Sequence, residues 1–530
     1  MNADRVGRTR RIPFAFVGVA MLAPLLVPAA SAQAASNSLT VTTLGRHGAK
    51  VATTVTVVNA TSGETRTVKS GKKLSLPSGR YLAMTDIYES ATDGLGTDTI
   101  GAQVVSVSGA KSVTLDARKG KAVQVSLDTP ADVTEPARIS AQVCAASMDM
   151  PSAYSAGGWN NAGALYAIPN SSKLLQFAYM AQWSGDDSYV AVKKTTGIPA
   201  APGGSFKRSK LATMRFSVRS GTQVGSDNYT MLQAAPKVDD CTTGLKADVL
   251  NESAPYSATF HVTPGSWQPS DDIVASNGDS VSGGYPATRT LKAGQSFTQS
   301  FGRAVWSPMH YLPIVGDKSL TFIPDALIGD PDVGIWGADT TKETVVLSKG
   351  NTTVKKQTLT NWGTSDAEFS AAVHSVGTYR LTVDAHRYHP GITFPSGMLS
   401  SRITLDWRFK ADPTKSGRVA PVFMTRFLPA GLNSHNQAAA NSTTTVTVSA
   451  GRGSQGPDTK FTKSTVKSLK VWASSDGGRT WKAVSVTRSG SSWKAAVHNP
   501  ASGAVALRSQ VTDSTGGTSV ETVYRAYAIG

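Results

Sequence analysis

Apolar and polar residues alternate with a period of two along most of the chain, and stretches with helical periodicity are almost absent. Ser38-Leu39-Thr40-Val41-Thr42, Ala52 to Val58, Gln103-Val104-Val105-Ser106-Val107 and Ala122-Val123-Gln124-Val125-Ser126-Leu127 show the pattern, each bounded by Gly, Pro, Ser or Asp. Such segments predict half-buried antiparallel strands, because successive side chains on a strand point to opposite faces. Strand after strand without intervening helices predicts an all-β chain of several tandem β-sandwich domains, immunoglobulin-like or jelly-roll-like. Four units are expected: an Ig-like or prealbumin-like sandwich over 36–128, a β domain over 133–262, a sandwich with long loops over 263–450, and an Ig-like sandwich over 460–530. Residues 436–442 and 450–459 read as surface loops or a linker, and Tyr154 to Asn161 as an irregular loop. Gly79-Arg80-Tyr81 and Gly377-Thr378-Tyr379 both enter strands in the manner of a corner tyrosine, whose hydroxyl bonds back to the chain.

The first 34 residues read as a secretion signal. Arg5, Arg8, Arg10 and Arg11 precede an apolar run from Phe14 to Ala30, and Ala32-Gln33-Ala34 offers a small-residue cleavage site. No other stretch of about 18 apolar residues is present to span a bilayer. The formal charge is +17, from 53 Lys and Arg against 36 Asp and Glu. The basic residues are scattered in small groups such as Lys72-Lys73 and Lys207-Arg208-Ser209-Lys210, rather than clustered with aromatics on one module, which argues against nucleic acid as partner. A solvated surface and attraction to a polyanionic cell-envelope polymer are the two readings of that charge. Cys144 and Cys241, the only cysteines, predict a disulfide in an oxidising compartment, with a thiol nucleophile as the rival reading.

Residues able to carry chemistry are dispersed. His386 and His389 lie three apart on a strand running into a turn, where they face opposite sides, which argues for surface or hydrogen-bonded histidines over a metal-ligand pair. His310 and His374 have no partner in sequence. Gly278-Asp279-Ser280-Val281 superficially matches an esterase serine block, but it reads as a turn within a polar loop. Asp325, Asp330, Asp332 and Asp339 are candidate oxygen ligands for a structural calcium ion, at spacings unlike the twelve-residue calcium loop; a cation-free solvated loop is the alternative. Ser474, Asp476, Gly478 and Trp481 fit the Asp-box pattern, a hairpin in which Ser and Asp bond the turn backbone and Trp packs beneath. Trp159, Trp183, Trp306 and Trp336 are either a sugar-stacking surface or core residues. No catalytic triad or metal motif is found, and no cofactor is expected.

Ser468-Leu469-Lys470-Val471-Trp472-Ala473, the Asp476-to-Trp481 turn, Trp493-Lys494-Ala495 and the ending Ser519 to Tyr527 together resemble the tail of large secreted actinobacterial subtilisin-like serine peptidases. Leu39-Thr40-Val41, Gly79-Arg80-Tyr81, Val113 to Lys121, Leu211-Ala212 with Arg215, and Phe301 to Val305 are similar to the same post-catalytic region. The resemblance implies a β-rich ancillary scaffold without the peptidase domain. His47-Gly48-Ala49 lacks the histidine-block context, nothing reads as the serine block, and no catalytic residue carries over. The expectation is a secreted, extracellular, non-catalytic scaffold that binds a cell-envelope polymer or an exported protein such as a related peptidase. A secreted hydrolase built around His310, His386 or His389, and a modulator of a related peptidase, are the alternatives.

Overall fold

The strand Gly79–Glu89 shows the organising rule of the first half of the molecule, because both of its faces are covered. Tyr81, Ala83 and Ile87 enter one core with Leu39, Val41 and Leu115, while Leu82 and Met84 enter another with Phe177, Tyr179 and Trp183. The computed structural model describes residues 37–530 except 91–95, 129–135, 147–154, 161–163, 223–228, 237–240, 243, 252–253, 275–279, 310, 325, 334–335, 338–339, 362–366 and 454–459. The expected signal segment lies outside the described residues. The chain is all-β, and among the described residues helix is confined to short 3₁₀ turns such as Ala117–Lys119 and Arg208–Lys210. No described helix is long and apolar enough to cross a membrane.

Four sheets stack in the first half, and a separate two-stranded sheet pairs Gln124–Leu127 with Gly203–Phe206. The outermost has three strands, with Ser38–Leu44 between Lys73–Ser75 and Ala110–Asp116. The second carries Gly79–Glu89 and Thr97–Val107 at its centre. The third has seven strands, centred on Leu175–Ser184 and Ser188–Thr196. In it, Phe177, Tyr179, Ala181 and Trp183 face the second sheet, and Ala178 and Met180 face the fourth, where Leu232, Ala234 and Trp267 wait. The fourth contains Tyr229–Pro236, Gly265–Val274 and Ser280–Tyr285. Two-sided burial explains why Leu175–Ser184 reads as an almost unbroken apolar run.

The second half is built on one nine-stranded sheet, whose central strands include Thr341–Lys349, Gly377–Arg387, Arg402–Ala411, Thr518–Ile529 and Gly503–Asp513. One face is covered by two four-stranded sheets, one around Ile314–Gly316 and Ser319–Phe322, the other around Thr443–Gly451 and Ser492–His498. The opposite face alternates polar side chains.

The expected domain boundaries do not hold, and the reason is strand pairing. Leu165–Ala167 returns to pair with Thr97–Val107, and Gly203–Phe206 with Gln124–Leu127, so 36–128 and 133–262 share sheets. Gly265–Val274 pairs with Tyr229–Pro236, and Ser296–Phe301 with Ala212–Val218, so the break at 262 also cuts ladders. Residues 460–530 are not a separate sandwich. Thr518–Ile529 continues the sheet of Arg402–Ala411, and Ser492–His498 needs Thr443–Gly451 as its neighbour. Alone, that segment would leave a long strand edge unpaired and half its core open. The loop expected near Tyr154 is in fact the strand Ser155–Asn160, and Gln437–Ala438 pairs with the last strand rather than lying in a surface loop. The first linker residues, Ala450 and Gly451, end a strand, and Ser280 opens one instead of sitting in a loop.

Side chains tie these layers together at defined points. The Tyr81 hydroxyl donates to Pro77 O at 3.0 Å and the Tyr379 hydroxyl to Ser375 O at 2.5 Å, each four residues back, as corner tyrosines do. Cys144, on the third sheet, is bonded to Cys241 beside the fourth, with Cα atoms 5.6 Å apart. Asn436, fully buried, joins the two halves: its amide donates to Ser220 O at 2.8 Å and Gly302 O at 2.7 Å, and its oxygen accepts from Ala304 N at 3.0 Å. Two buried carboxylates serve as backbone acceptors. Asp330 takes the N–H groups of Gly302 at 2.5 Å and Asp332 at 2.9 Å, and Glu521 takes that of Thr425 at 2.8 Å.

Two predictions follow from this framework. Replacing both Cys144 and Cys241 by Ala releases a loop closed over a separation of 97 residues. Destabilisation of about 4–5 kcal/mol is expected, checked by urea unfolding of the two proteins. Burial pushes Glu521 up to about 8 against the Thr425 N–H, and burial likewise pushes Asp330 up to about 7. Between the ordinary carboxylate range and these values the folded chain holds protons that the unfolded chain has lost, so stability falls as pH rises through that window. Melting scans should show that decline, and Glu521→Gln should flatten it, leaving acid stability unchanged and raising the melting temperature near pH ~8.

Candidate functional site

Because one face of the nine-stranded sheet is packed, the alternate residues of its strands must project from the other. Cross-strand register sets Lys342, His386, Arg402 and Tyr524 in one row, and Thr344, Asp384, Thr404, Thr522, Arg508 and Trp472 in the next. These side chains interlock. Arg402 forks onto Asp384 with two contacts of 2.8 Å, and its guanidinium carbon lies 4.7 Å from the Tyr524 ring centre. His386 Nε2 is 3.2 Å from the same carboxylate. Arg380 forks onto Asp406 at 2.8 and 2.7 Å. Arg508 donates to Thr522 Oγ1 at 3.1 Å and sits 3.9 Å above the Trp481 ring. Burial is the largest single influence on Asp384 and raises it, but the hydrogen bonds and charges of Arg402 and His386 together outweigh burial and hold the carboxyl below its usual range. A shallow hollow of about 410 Å³ opens here between Thr344, Thr382, Asp384, Thr404, Asp406 and Val520.

Trp481 reaches this face through the Asp-box turn. Ser474 Oγ donates to Asp476 Oδ1 at 2.7 Å and accepts from Gly478 N at 2.9 Å. Asp476 accepts the Thr480 hydroxyl at 2.5 Å and the N–H groups of Arg479 and Thr480 at 3.0 and 2.9 Å. The Thr480 hydroxyl, then its N–H, hold the Asp476 carboxyl well below the ordinary range. Trp481 Nε1 donates to Gly478 O at 3.0 Å. Gly478 has φ +89°, and a Cβ there would lie 2.7 Å from Tyr524 Cε1, so the turn fits only with glycine at that point.

The other sequence candidates are placed elsewhere. Trp183 and Trp306 are 0% and 4% exposed, so they are core residues and not a sugar-stacking surface; the Trp159 and Trp336 side chains lie outside the described residues. His386 is on the outer face, while His389 is buried beyond the strand end with Nδ1 2.9 Å from Pro390 O. His374 is exposed and His310 lies outside the described residues. Asp325 and Asp339 also lie outside them. Asp330 accepts backbone N–H groups, and Asp332 is 3.4 Å from Arg303. Among the described residues no three His, Cys, Asp or Glu side chains converge as metal ligands. Gly517-Thr518-Ser519, a Gly-Thr-Ser tripeptide that the sequence reading passes over, starts the last strand, where Ser519 is buried and accepts from Phe423 N at 2.9 Å.

One arrangement escapes sequence reasoning altogether. His261 Nε2 is 2.9 Å from Asp187 and its Nδ1 is 3.3 Å from the Thr213 hydroxyl, with Tyr189 stacked at 4.7 Å. Hydroxyl, imidazole and carboxylate stand in line. Yet Thr213 opens onto a strand paired on both sides, and its own N–H donates to Gln295 O at 2.8 Å. The backbone donors beside it are engaged in ladders and cannot form an oxyanion hole. No sequence signal links these residues, because sheet register alone brings Tyr189, Thr213 and His261 together.

No family model matches the chain, and no curated protein matches it. Similar solved structures include the FN1–FN3 domains of chicken CNTN1, at 11% identity over 66% of this chain and 94% of that one, with a TM-score of 0.14. Salmonella alpha-2-macroglobulin reacted with methylamine is 11% identical over 90% of this chain and 37% of that one, with a TM-score of 0.17. A tetra-tandem repeat from the extending region of a large adhesion protein is 10% identical over 75% of this chain and 93% of that one, with a TM-score of 0.13. Superposition at these scores is too loose to bear on function.

The Asp-box turn generates a paired prediction. Gly478→Ala should destabilise by about 1–2 kcal/mol from its left-handed backbone alone, and more through displacement of Tyr524. Gly477→Ala, at φ +73° with open space around its Cβ, should show only the backbone cost. Thermal unfolding followed by tryptophan fluorescence compares the two.

Proposed function

We propose that the chain is an exported, non-catalytic β scaffold that binds another protein through the arginine–aromatic face of the nine-stranded sheet. The observation that carries this reading is the set of contacts on the outer face: Asp384 with Arg402 and His386, Arg402 with Tyr524, and Arg508 with Trp481, with Lys342 opposite His386. Arginines and aromatics held against one another lose little freedom on docking, and these residue types dominate protein contact surfaces. The charged amino-terminal segment with its small-residue cleavage site supports export, as does the Cys144–Cys241 bridge, since disulfides persist in oxidising compartments. The resemblance to the post-catalytic region of secreted subtilisin-like peptidases makes such a peptidase the first partner to test, with cell-envelope polymer as the second.

The hydroxyl–imidazole–carboxylate line at Thr213, His261 and Asp187 favours a hydrolase as the alternative. Hydrolysis of casein or an ester that disappears in His261→Ala would establish it.

For the binding reading, the expected result is association with a purified secreted subtilisin-like peptidase or with isolated cell envelope. Arg402→Ala combined with Arg508→Ala should weaken it about tenfold, with the overall fold kept by circular dichroism. Undiminished binding by the double variant would remove this face as the contact surface.

A further inference from the structure

A second concave surface lies where Arg402–Ala411 ends beside the small sheet of Ile314–Gly316 and Arg418–Val419. It encloses about 470 Å³, enough for one large side chain and its flanking backbone. Its apolar part is formed by Val315, Ala420, Pro421 and Val376. Val376 is 64% exposed, more than any other large apolar side chain among the described residues. Around it stand Lys410, Lys415, Arg418 and Lys463, against a single carboxylate, Asp412.

The charges are not mutually satisfied. Asp412 is engaged by Thr414, through its N–H at 3.1 Å and its hydroxyl at 2.5 Å, and by Lys415 at 3.3 Å. The side chains of Lys410, Arg418 and Lys463 have no ion-pair or hydrogen-bond partner among the described residues. The walls that hold them are fixed. Gly417 N donates to Asp317 Oδ2 at 3.1 Å, Asp317 N to Lys415 O at 2.8 Å and Lys318 N to Pro413 O at 2.7 Å. Gly316 and Gly417 approach so closely that a Cβ on the first would lie 2.4 Å from the Cα of the second. Behind the other wall, Arg452 donates to Thr462 O at 2.6 Å and Ala420 O at 2.5 Å.

We propose that this cleft receives an acidic peptide segment carrying a large apolar side chain. Carboxylates of the segment would meet Lys410, Arg418 and Lys463 while the apolar side chain covers Val376 and Val315. The two halves of the surface decide the ligand class together. A phosphodiester polymer answers the cations and leaves Val376 in water. A nucleic acid would need aromatic side chains for its bases, and the cleft lining contains none. A bilayer requires a broad projecting apolar surface, and of the apolar lining here Val376 projects while Val315, Ala420 and Pro421 are buried. The inference does not rest on the arginine–aromatic face, and the two can fail separately.

The test uses the full secreted chain and fluorescence anisotropy with a labelled pentapeptide, phenylalanine flanked by aspartate and glutamate. Saturable binding that weakens with salt is expected. Lys410→Glu combined with Arg418→Glu should weaken it at least about tenfold, as should replacing the peptide's acids by their amides. Val376→Ser, or glycine in place of the peptide's phenylalanine, should weaken it by a smaller factor. All three protein positions are exposed, so the melting temperature should not move, and Lys463→Gln alone offers a milder variant. Arg402→Ala with Arg508→Ala should leave peptide binding intact. Absence of peptide binding, equal binding by the charge-reversed variant, or binding of polyphosphate or of phosphatidylglycerol vesicles in its place would overturn the proposal.

Discussion

Burial on both faces of the inner sheets is the constraint from which the rest of the structure follows. A strand covered on one side can alternate apolar with polar residues and remain marginally tied to its neighbours. A strand such as Leu175–Ser184 must send Phe177, Tyr179 and Trp183 one way and Ala178 and Met180 the other. A one-residue slip would place large side chains where small ones are needed, so register is set by both cores at once. Ala178 and Met180 pack in the core between the third and fourth sheets, which Cys144 and Cys241 bridge covalently.

Where the two halves meet, apolar contact gives way to hydrogen bonds. Asn436, Ser400 and Arg387 are buried there, and each engages backbone groups of a distant segment: Asn436 those of Ser220 and Gly302, Ser400 that of Trp306, and Arg387 that of Thr222. Arg387 also lies 4.5 Å from the Trp306 ring. Apolar surfaces can slide over one another with little change in energy, whereas directional bonds in a dry environment are lost all together on a small shift. Such a junction fixes the orientation of the halves, and it explains why polar residues lie at positions that hydrophobicity alone would fill otherwise.

How much of this was legible in the sequence depends on the range of the interaction. Period-two alternation revealed the all-β class, because it is a property of a few consecutive residues. The corner contacts of Tyr81 and Tyr379 reach only four residues back, and the Asp-box turn closes within eight residues, so both follow local patterns. Domain limits did not follow. The returning strand Leu165–Ala167 and the joining of Thr518–Ile529 to Arg402–Ala411 depend on partners far along the chain. For the same reason the two rows that carry Lys342, Arg402 and Arg508 are not legible in sequence: their members come from separate strands, and only register aligns them. His386 finds Asp384 two residues back on its own strand, whereas the two polar partners of His261 lie 48 and 74 residues away, beyond the reach of any local pattern.

One strand, Arg402–Ala411, contributes to both surfaces. Arg402 and Lys410 are eight residues apart on one strand and share a face, since side chains recur on the same side every second residue. At about 3.3 Å per residue they stand roughly 26 Å apart on a sheet held rigid by its neighbours. Their characters differ. Arg402 is already neutralised by Asp384 and stacked on Tyr524, so what it offers is shape and fixed donors. Lys410 and Arg418 keep their charge exposed, so what they offer is long-range attraction. A partner with an acidic, aromatic-bearing segment beside a flat surface would be drawn in at the cleft and then fixed at the arginine–aromatic face. Two contacts on one rigid body reinforce each other only when a single ligand spans both, which makes the spacing between them as much a property of the site as the residues at either end.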